Sequence, residues 1–250
     1  MRNKIQILPD HVALAIAAGE VVERPASVVK ELLENSLDAG ARAISIDIHG
    51  GGVDQIVIRD DGEGIPYDEI EMPFVRFATS KMPNDLYWSG VTTLGFRGEA
   101  LPSIASVSRM SARSSEDGQA SFQIKIHGSE EKSFESSSGL RGSTFKVQNI
   151  FYNIPARRKF LKKPETEQGY INKVMRRFML SRPNVSFKMI SNDKIVYDVP
   201  IQDLSKRITS VFGSAYEEKL LPVEMEKQPY RVSGYAGNLS MIKKRQGEQY

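Results

Sequence analysis

The 250-residue chain contains no cysteine, which excludes disulfides, thiol nucleophiles and thiolate-held metal sites and permits a reducing compartment without requiring one. Its three histidines, His11, His49 and His127, stand far apart. No two have metal-ligand spacing, so each reads as an ordinary surface or core histidine. Long apolar runs are missing too: none approaches the ~18 to 20 residues a membrane span needs. Pro9, Asp10 and His11 interrupt the N-terminal stretch before a secretory core could form. The expectation is an intracellular, cytoplasmic protein with no membrane partner. Excess charge of one sign is scarce as well: 34 Lys+Arg against 31 Asp+Glu leave a formal +3, too little to argue for nucleic acid or a membrane from totals. No Gly-x-x-x-x-Gly-Lys-Ser/Thr sequence occurs, which rules out a P-loop nucleotide site.

What is present suffices for a folded core, since 40% of the residues are hydrophobic and the length suits one large or two modest domains. Asp10 can cap a short helix with Val12, Leu14, Ile16 and Ala17 as its apolar positions and Gly19 as a stop. A stronger helix is predicted from Pro25 to Ala39, with proline at its first position and Gly40 where a left-handed cap is wanted. Ile44, Ile46 and Ile48 alternate, Gly50-Gly51-Gly52 turns, and Ile56-Val57-Ile58 follows, which reads as strand, turn, strand. Ile70, Phe74 and Phe77 show helical spacing, and Ser80 to Arg97, which includes Trp88, is loop-like. So long an irregular stretch is often functional.

Val107 to Arg113, Phe122 to His127 and Thr144 to Val147 read as antiparallel strands between polar turns. A helix over about 165 to 181, with Ile171, Val174, Met175 and Phe178 as its apolar stripe, precedes a hairpin of Val185–Ile190 and Ile195–Val199. Pro200 and Gln202-Asp203 mark an expected boundary, after which a helix with Leu204, Ile208, Val211 and Phe212 begins a second unit. The remaining residues are fewer than an independent domain needs. The expectation is therefore a first domain over 1–200 and a truncated second over 201–250.

Three segments carry candidate chemistry. On the helix of residues 25–39, Glu31, Asn35 and Asp38 fall within about 60° of one another at about 100° per residue, opposite Val28, Val29, Leu32, Leu33 and Leu37. A carboxylate one turn from an amide makes a usable water activator and Mg²⁺ ligand, though an amphipathic surface helix would show the same pattern. Glu34 shares that side, so spacing does not choose between the two glutamates. Asp60-Asp61-Gly62-Glu63-Gly64-Ile65 follows an apolar strand, where an aspartate can accept from a ligand amine and glycines let backbone approach a ligand. A plain turn would look alike, but the Rossmann third glycine is missing and Pro66 follows, against a dinucleotide site. Gly95-Phe96-Arg97-Gly98-Glu99-Ala100-Leu101 closes the irregular stretch and opens a helix whose free N–H groups could take phosphate. Ala78-Thr79-Ser80-Lys81 adds hydroxyls and a positive charge nearby.

Taken in that order, the three segments resemble the GHKL ATPases, which include gyrase B, histidine kinases and MutL. Ala17 to Pro25, Ala78 to Lys81 and Phe151-Tyr152-Asn153-Ile154-Pro155-Ala156-Arg157-Arg158-Lys159-Phe160 narrow the resemblance to the MutL family of DNA mismatch repair proteins, over about residues 5 to 185. The same Phe151–Phe160 stretch disfavours a chaperone or topoisomerase of the superfamily.

The resemblance implies a two-layer α/β sandwich, a mixed and largely antiparallel sheet with helices on one face, followed by a smaller α/β domain. It implies ATP and Mg²⁺ as cofactors, with Glu31 rather than Glu34 as the general base and Asn35 as the Mg²⁺ ligand. Asp38 joins the nucleotide-binding residues, Asp60 reads adenine, and Gly62 and Gly64 form the purine-side loop. Thr79, Ser80 and Lys81 form the segment before a lid. Leu94, Gly95, Phe96, Arg97, Gly98, Glu99, Ala100 and Leu101 form the phosphate loop, and Gly142-Ser143-Thr144 resembles the motif near the adenine, with Thr144 among the binding residues. The implied activity is Mg²⁺-dependent ATP hydrolysis driving lid ordering and dimerisation, in partnership with DNA, a MutS-type mismatch sensor and a downstream nuclease or helicase.

This sequence departs from the family at Asp61, where asparagine is usual, and at Phe77, where histidine is common. The lysine that MutL proteins set against the γ-phosphate is expected later in the second domain, and Lys243 and Lys244 do not match its context. Very slow turnover is the corresponding expectation, and a non-hydrolysing, ATP-gated DNA and partner clamp is the alternative. Between Arg157 and Arg182, nine basic residues face Glu165 and Glu167. Such a cluster could contact DNA phosphates weakly and without reading sequence, or simply form a solvated helix face.

Overall fold

The computed structural model describes residues 18–82, 92–118, 121–128, 131–137 and 139–241. The expected helix start at Asp10 and the residues Trp88, Lys243 and Lys244 lie outside them. Residues 18–21 are helical, with the Val22 N–H donating to the Ala18 carbonyl at 2.7 Å, so Gly19 lies within a helical turn and does not end one, contrary to expectation.

Helix α1 spans Pro25–Asp38 with proline in its first turn, and Gly40 follows at φ 72°. Strand β1 (Ala43–His49) and strand β2 (Gln55–Asp60) pair antiparallel across a single 3-10 turn at Gly50–Gly52. Helix α2 (Ala100–Ser106) leads into β3 (Arg109–Ser115), β4 (Ser121–His127), β5 (Glu131–Ser137) and β6 (Gly142–Gln148). Helices α3 (Pro155–Phe160) and α4 (Pro164–Ser181) and strands β7 (Ser186–Ser191) and β8 (Lys194–Val199) complete the main body, and helix α5 (Leu204–Phe212) packs against α4 and β8. A hairpin of β9 (Leu220–Lys227) and β10 (Tyr230–Gly237) forms its own two-stranded sheet.

The large sheet runs β5-β4-β3-β6-β2-β1-β7-β8, and every neighbouring pair is antiparallel except β1 with β7. Register pairing draws one apolar row across it: Met189, Ile46, Ile58, Phe145, Ala112 and Ile124 stand side by side, all buried. Laterally paired residues share a face. Val28, Leu32 and Leu33 of α1, Ile104 of α2, and Ile171, Met175 and Met179 of α4 join the same core cluster. The fold is thus a mixed, mainly antiparallel sheet with helices against one face, as expected.

One local expectation differs, and two further elements give no signal in the sequence. Residues 67–77 form two single 3-10 turns, Tyr67–Glu69 and Met72–Phe74, rather than a helix. Pro73 lacks the N–H that a continuing helix needs, and Phe77 sits at φ 63°. Strand β5, with the sequence Glu-Lys-Ser-Phe-Glu-Ser-Ser, has little apolar signal because it lies at the sheet edge. Helix α3 is short and has no buried residues, so it leaves no periodic apolar stripe.

Helix α5 is capped by the Asp203 carboxylate, which accepts from the Lys206 N–H at 2.9 Å. It is fastened to the main body by fully buried Arg207, whose guanidinium donates to the carbonyls of Met179, Pro183, Val185 and Pro200 at 2.7–3.2 Å.

Candidate functional site

The polar side of α1, the end of β2, the Ala78–Lys81 segment, the Leu94–Leu101 loop and the start of β6 line one cleft of about 1290 Å³, larger than many small-ligand pockets. Of the residues expected to bind nucleotide, all but Gly62 and Thr144 line it. Gly62 acts from behind the wall: its N–H donates to Asp60 Oδ1 at 3.0 Å. Thr144 alternates with Ser143 and Phe145, which do line the cleft. Strand periodicity therefore turns its side chain to the opposite face.

Asp60 ends β2 at the cleft wall. Its Oδ1 accepts from Gly62 N and from Ser143 N at 3.2 Å, and its Oδ2 lies 2.8 Å from Ser36 Oγ. Burial pushes its carboxyl above the usual carboxylate range, against the pull of the Ser36, Gly62 and Ser143 hydrogen bonds. With both oxygens anchored, the remaining lone-pair directions can accept from a ligand amine. Ser36 and Ser143 lie inside motifs that carry the family resemblance, but the sequence assigns neither a role of its own. Ser36 is 2% exposed, and its one sequence signal is a hydroxyl next to Asn35, toward the core side of the helix.

Asp61 points away from the cleft wall: its Oδ1 accepts from Arg42 N at 2.7 Å and Ala43 N at 2.8 Å, fixing the entry to β1. An asparagine oxygen could accept the same two bonds, so this departure leaves the local architecture intact. Gly64, at φ 77°, lies so close to the Ser115 carbonyl that a Cβ would collide with it. Glycine is thus required where the loop after β2 crosses the end of β3.

One helical turn along, Glu31 and Glu34 both line the cleft and share Lys30, whose Nζ lies 2.9 Å from each carboxylate. Burial raises the Glu34 carboxyl, opposed by Lys30. On Lys30, burial acts downward but the two carboxylates outweigh it and raise its pKa. The geometry keeps both glutamates at the cleft and does not select one.

Asn35 and Asp38 converge on Lys81, whose Nζ is 2.9 Å from Asn35 Oδ1 and 2.7 Å from Asp38 Oδ2. Asp38 also accepts from Leu94 N at 2.9 Å and Gly95 N at 3.1 Å. The Leu94–Leu101 loop is held on its other side by Phe77 N donating to the Gly98 carbonyl at 3.0 Å and by an Arg76–Glu99 ion pair at 2.9 Å. Phe77 itself lines the cleft, 68% exposed.

The basic stretch after residue 157 divides. Arg176 Nε donates to the Tyr197 hydroxyl at 3.0 Å, and buried Glu167 accepts from Lys162 N at 2.9 Å. Arg158, Lys159, Lys162, Lys163, Lys173 and Arg177 remain at least partly exposed.

Residues 23–150, which hold every segment of this cleft from α1 to β6, match the family described as histidine kinase-, DNA gyrase B-, and HSP90-like ATPase. The chain belongs to that ATPase family. Within it, the chain is 44% identical over 253 aligned positions to the DNA mismatch repair protein MutL of Christiangramia forsetii, covering 100% of this chain. It is 45% identical over 237 positions to that of Actinobacillus succinogenes, covering 92%. It spans 41% and 37% of the length of these relatives. Among solved structures, the Aquifex aeolicus MutL ATPase domain complexed with ADP is similar at 28% identity and a TM-score of 0.68, over 82% of this chain and 73% of that one. The GHKL sandwich expected from the sequence is the fold this ATPase-family member has.

Proposed function

We propose that the chain is the ATP-binding N-terminal region of a MutL-type mismatch repair protein, with residues 1–200 as its nucleotide domain and 201–250 as the start of a second. The observation that carries this reading is Asp60, a buried carboxylate anchored through Ser36, Gly62 and Ser143 at the wall of a cleft that residues of the α1, Asp60–Gly64, Ala78–Lys81 and Leu94–Leu101 segments line. Such an aspartate suits the exocyclic amine of adenine. The similar Aquifex aeolicus MutL ATPase domain is complexed with ADP, which supports a nucleotide as this chain's ligand.

Asn35 and Asp38 supply oxygens that already surround a cation, the Lys81 ammonium. One carboxylate and an amide, completed by phosphates and water, fit Mg²⁺, which binds through few protein ligands. Bound there, Mg²⁺ would neutralise charge on the transferring phosphate. Glu31 holds the attacking water and takes its proton, while the Leu94–Leu101 loop orients the phosphates through its backbone. Nucleotide binding orders the lid and drives dimerisation of these regions. The dimer passes a mismatch signal from a MutS-type sensor to a downstream nuclease or helicase in the cytoplasm. The lysines and arginines of 158–177 that reach solvent contact DNA weakly and without reading sequence.

A slowly turning or non-hydrolysing clamp is the second reading, favoured by the pairing of Glu31 with Lys30. Multiple-turnover phosphate release separates the two. Glu31→Ala should retain binding of a non-hydrolysable ATP analogue and lose about 10² to 10⁴-fold of hydrolysis, the scale of a positioned general base. Light scattering should report larger particles with the analogue. Turnover unchanged in Glu31→Ala would refute the catalytic assignment.

A further inference from the structure

We infer that Lys81 is a resident cation of the nucleotide-free cleft, its ammonium filling the position between Asn35 and Asp38 and yielding it to the Mg²⁺ that enters with ATP. The inference rests on the nucleotide reading of the site. The Asp38 side chain is 5% exposed and that of Lys81 23%. A carboxylate so enclosed is costly without a positive partner. Among the described residues, the other hydrogen bonds to Asp38 are the neutral N–H groups of Leu94 and Gly95. The position therefore calls for a cation with or without nucleotide, and Lys81 supplies it when no metal is bound.

The ammonium and a divalent ion cannot share the space. Both would sit on Asn35 Oδ1 and Asp38 Oδ2, and two positive charges a few ångströms apart in a partly buried site repel strongly. Lysine suits an exchange better than arginine would, because it is a point charge on a flexible four-carbon stem that can swing aside without moving backbone. Since Asp38 also holds Leu94 and Gly95, the identity of its cation is felt directly by the loop expected to hold phosphate.

This makes a different prediction from a Lys81 that serves as an ordinary phosphate ligand alongside the metal. Calorimetric binding of a non-hydrolysable ATP analogue, with Mg²⁺ and in EDTA, should be compared for the native chain, Lys81→Met and Lys81→Arg. Under exchange, Lys81→Met retains affinity in Mg²⁺, where the metal replaces the lost charge. In EDTA it loses affinity because Asp38 is left uncompensated beside the phosphates. The ratio of the two dissociation constants should then rise about tenfold or more over native, the scale of an unpaired buried charge. Lys81→Arg, which keeps a cation, should stay near the native ratio. A parallel loss in both media by folded Lys81→Met would overturn exchange in favour of a direct phosphate contact. Equal affinity of native and Lys81→Met in both media would overturn it by showing that the position needs no cation. Absence of saturable binding by the native chain in either medium would instead overturn the nucleotide reading, and the exchange with it.

Discussion

Burial pushes the Asp60 carboxyl up, while three hydrogen bonds stabilise its ionised form. Because its folded pKa is raised, the protonated state is favoured by folding. Asp60 therefore contributes stability at low pH that is lost as pH rises through the raised value. Asp60→Asn keeps the shape and can satisfy the same neighbours, its oxygen accepting from Gly62 and Ser143 and its amide donating to Ser36. The variant should melt higher than native at neutral pH, with the difference shrinking toward acid, and should lose binding of the ATP analogue. A native chain that gains stability over the variant as pH rises would contradict the assigned direction. At this scale the sequence reveals residue types better than orientations. Asp60 and Asn35 stand out by motif. Ser36 and Ser143 fall inside motifs too, yet their contacts with Asp60 are not legible, because a serine in a sequence gives no sign of what its hydroxyl or backbone touches. Thr144 is expected at the cleft by resemblance, although strand alternation points its neighbours there instead.

The Leu94–Leu101 loop depends on a close backbone crossing. Gly98 has φ 61°, and a Cβ there would run into the Ala78 carbonyl. Gly98→Ala should separate this loop from the Phe77–Ala78 segment, costing about 1–3 kcal/mol from strained backbone alone and weakening analogue binding. Thermal melts and calorimetry would check both, and a variant with native affinity would show that the two segments act independently. Elements with a strong periodic signal are legible: α1, the β1–β2 pair, α4 and the β7–β8 hairpin lie within a few residues of expectation. Those without one are not. Edge strand β5 buries too little to need alternation, α3 has no core face, and Pro73 breaks a helical spacing that composition alone would continue.

In the whole molecule, α5 is bound to the sheet layer through Arg207, buried with four backbone carbonyls as acceptors. Burial lowers its pKa, yet a guanidinium stays charged. Arg207→Ala would strand those carbonyls and open a void, at a cost of about 2–4 kcal/mol. The loss should appear in chemical denaturation, with analogue affinity of the folded fraction unchanged because none of its hydrogen-bond partners lines the cleft. A variant of native stability would mean that water replaces the guanidinium fully. Neither the depth of Arg207 nor its partners can be read from the sequence, since it appears there as one more charge on an amphipathic helix.

Among the described residues, the one parallel pairing in the large sheet has a consequence for synthesis on the ribosome. Strand β1 finds β2 within a few residues, but its other edge waits for β7, with Ala43 opposite Ser186. Throughout the translation of that interval, the isoleucine-rich β1 presents open backbone N–H and C=O groups, a template for mispairing between nascent chains. The late arrival of β7 makes the closing contact of the sheet highly non-local, so folding should be slow and sensitive to chain concentration. A cell producing this protein would have its greatest need of chaperones in the interval between β2 and β7.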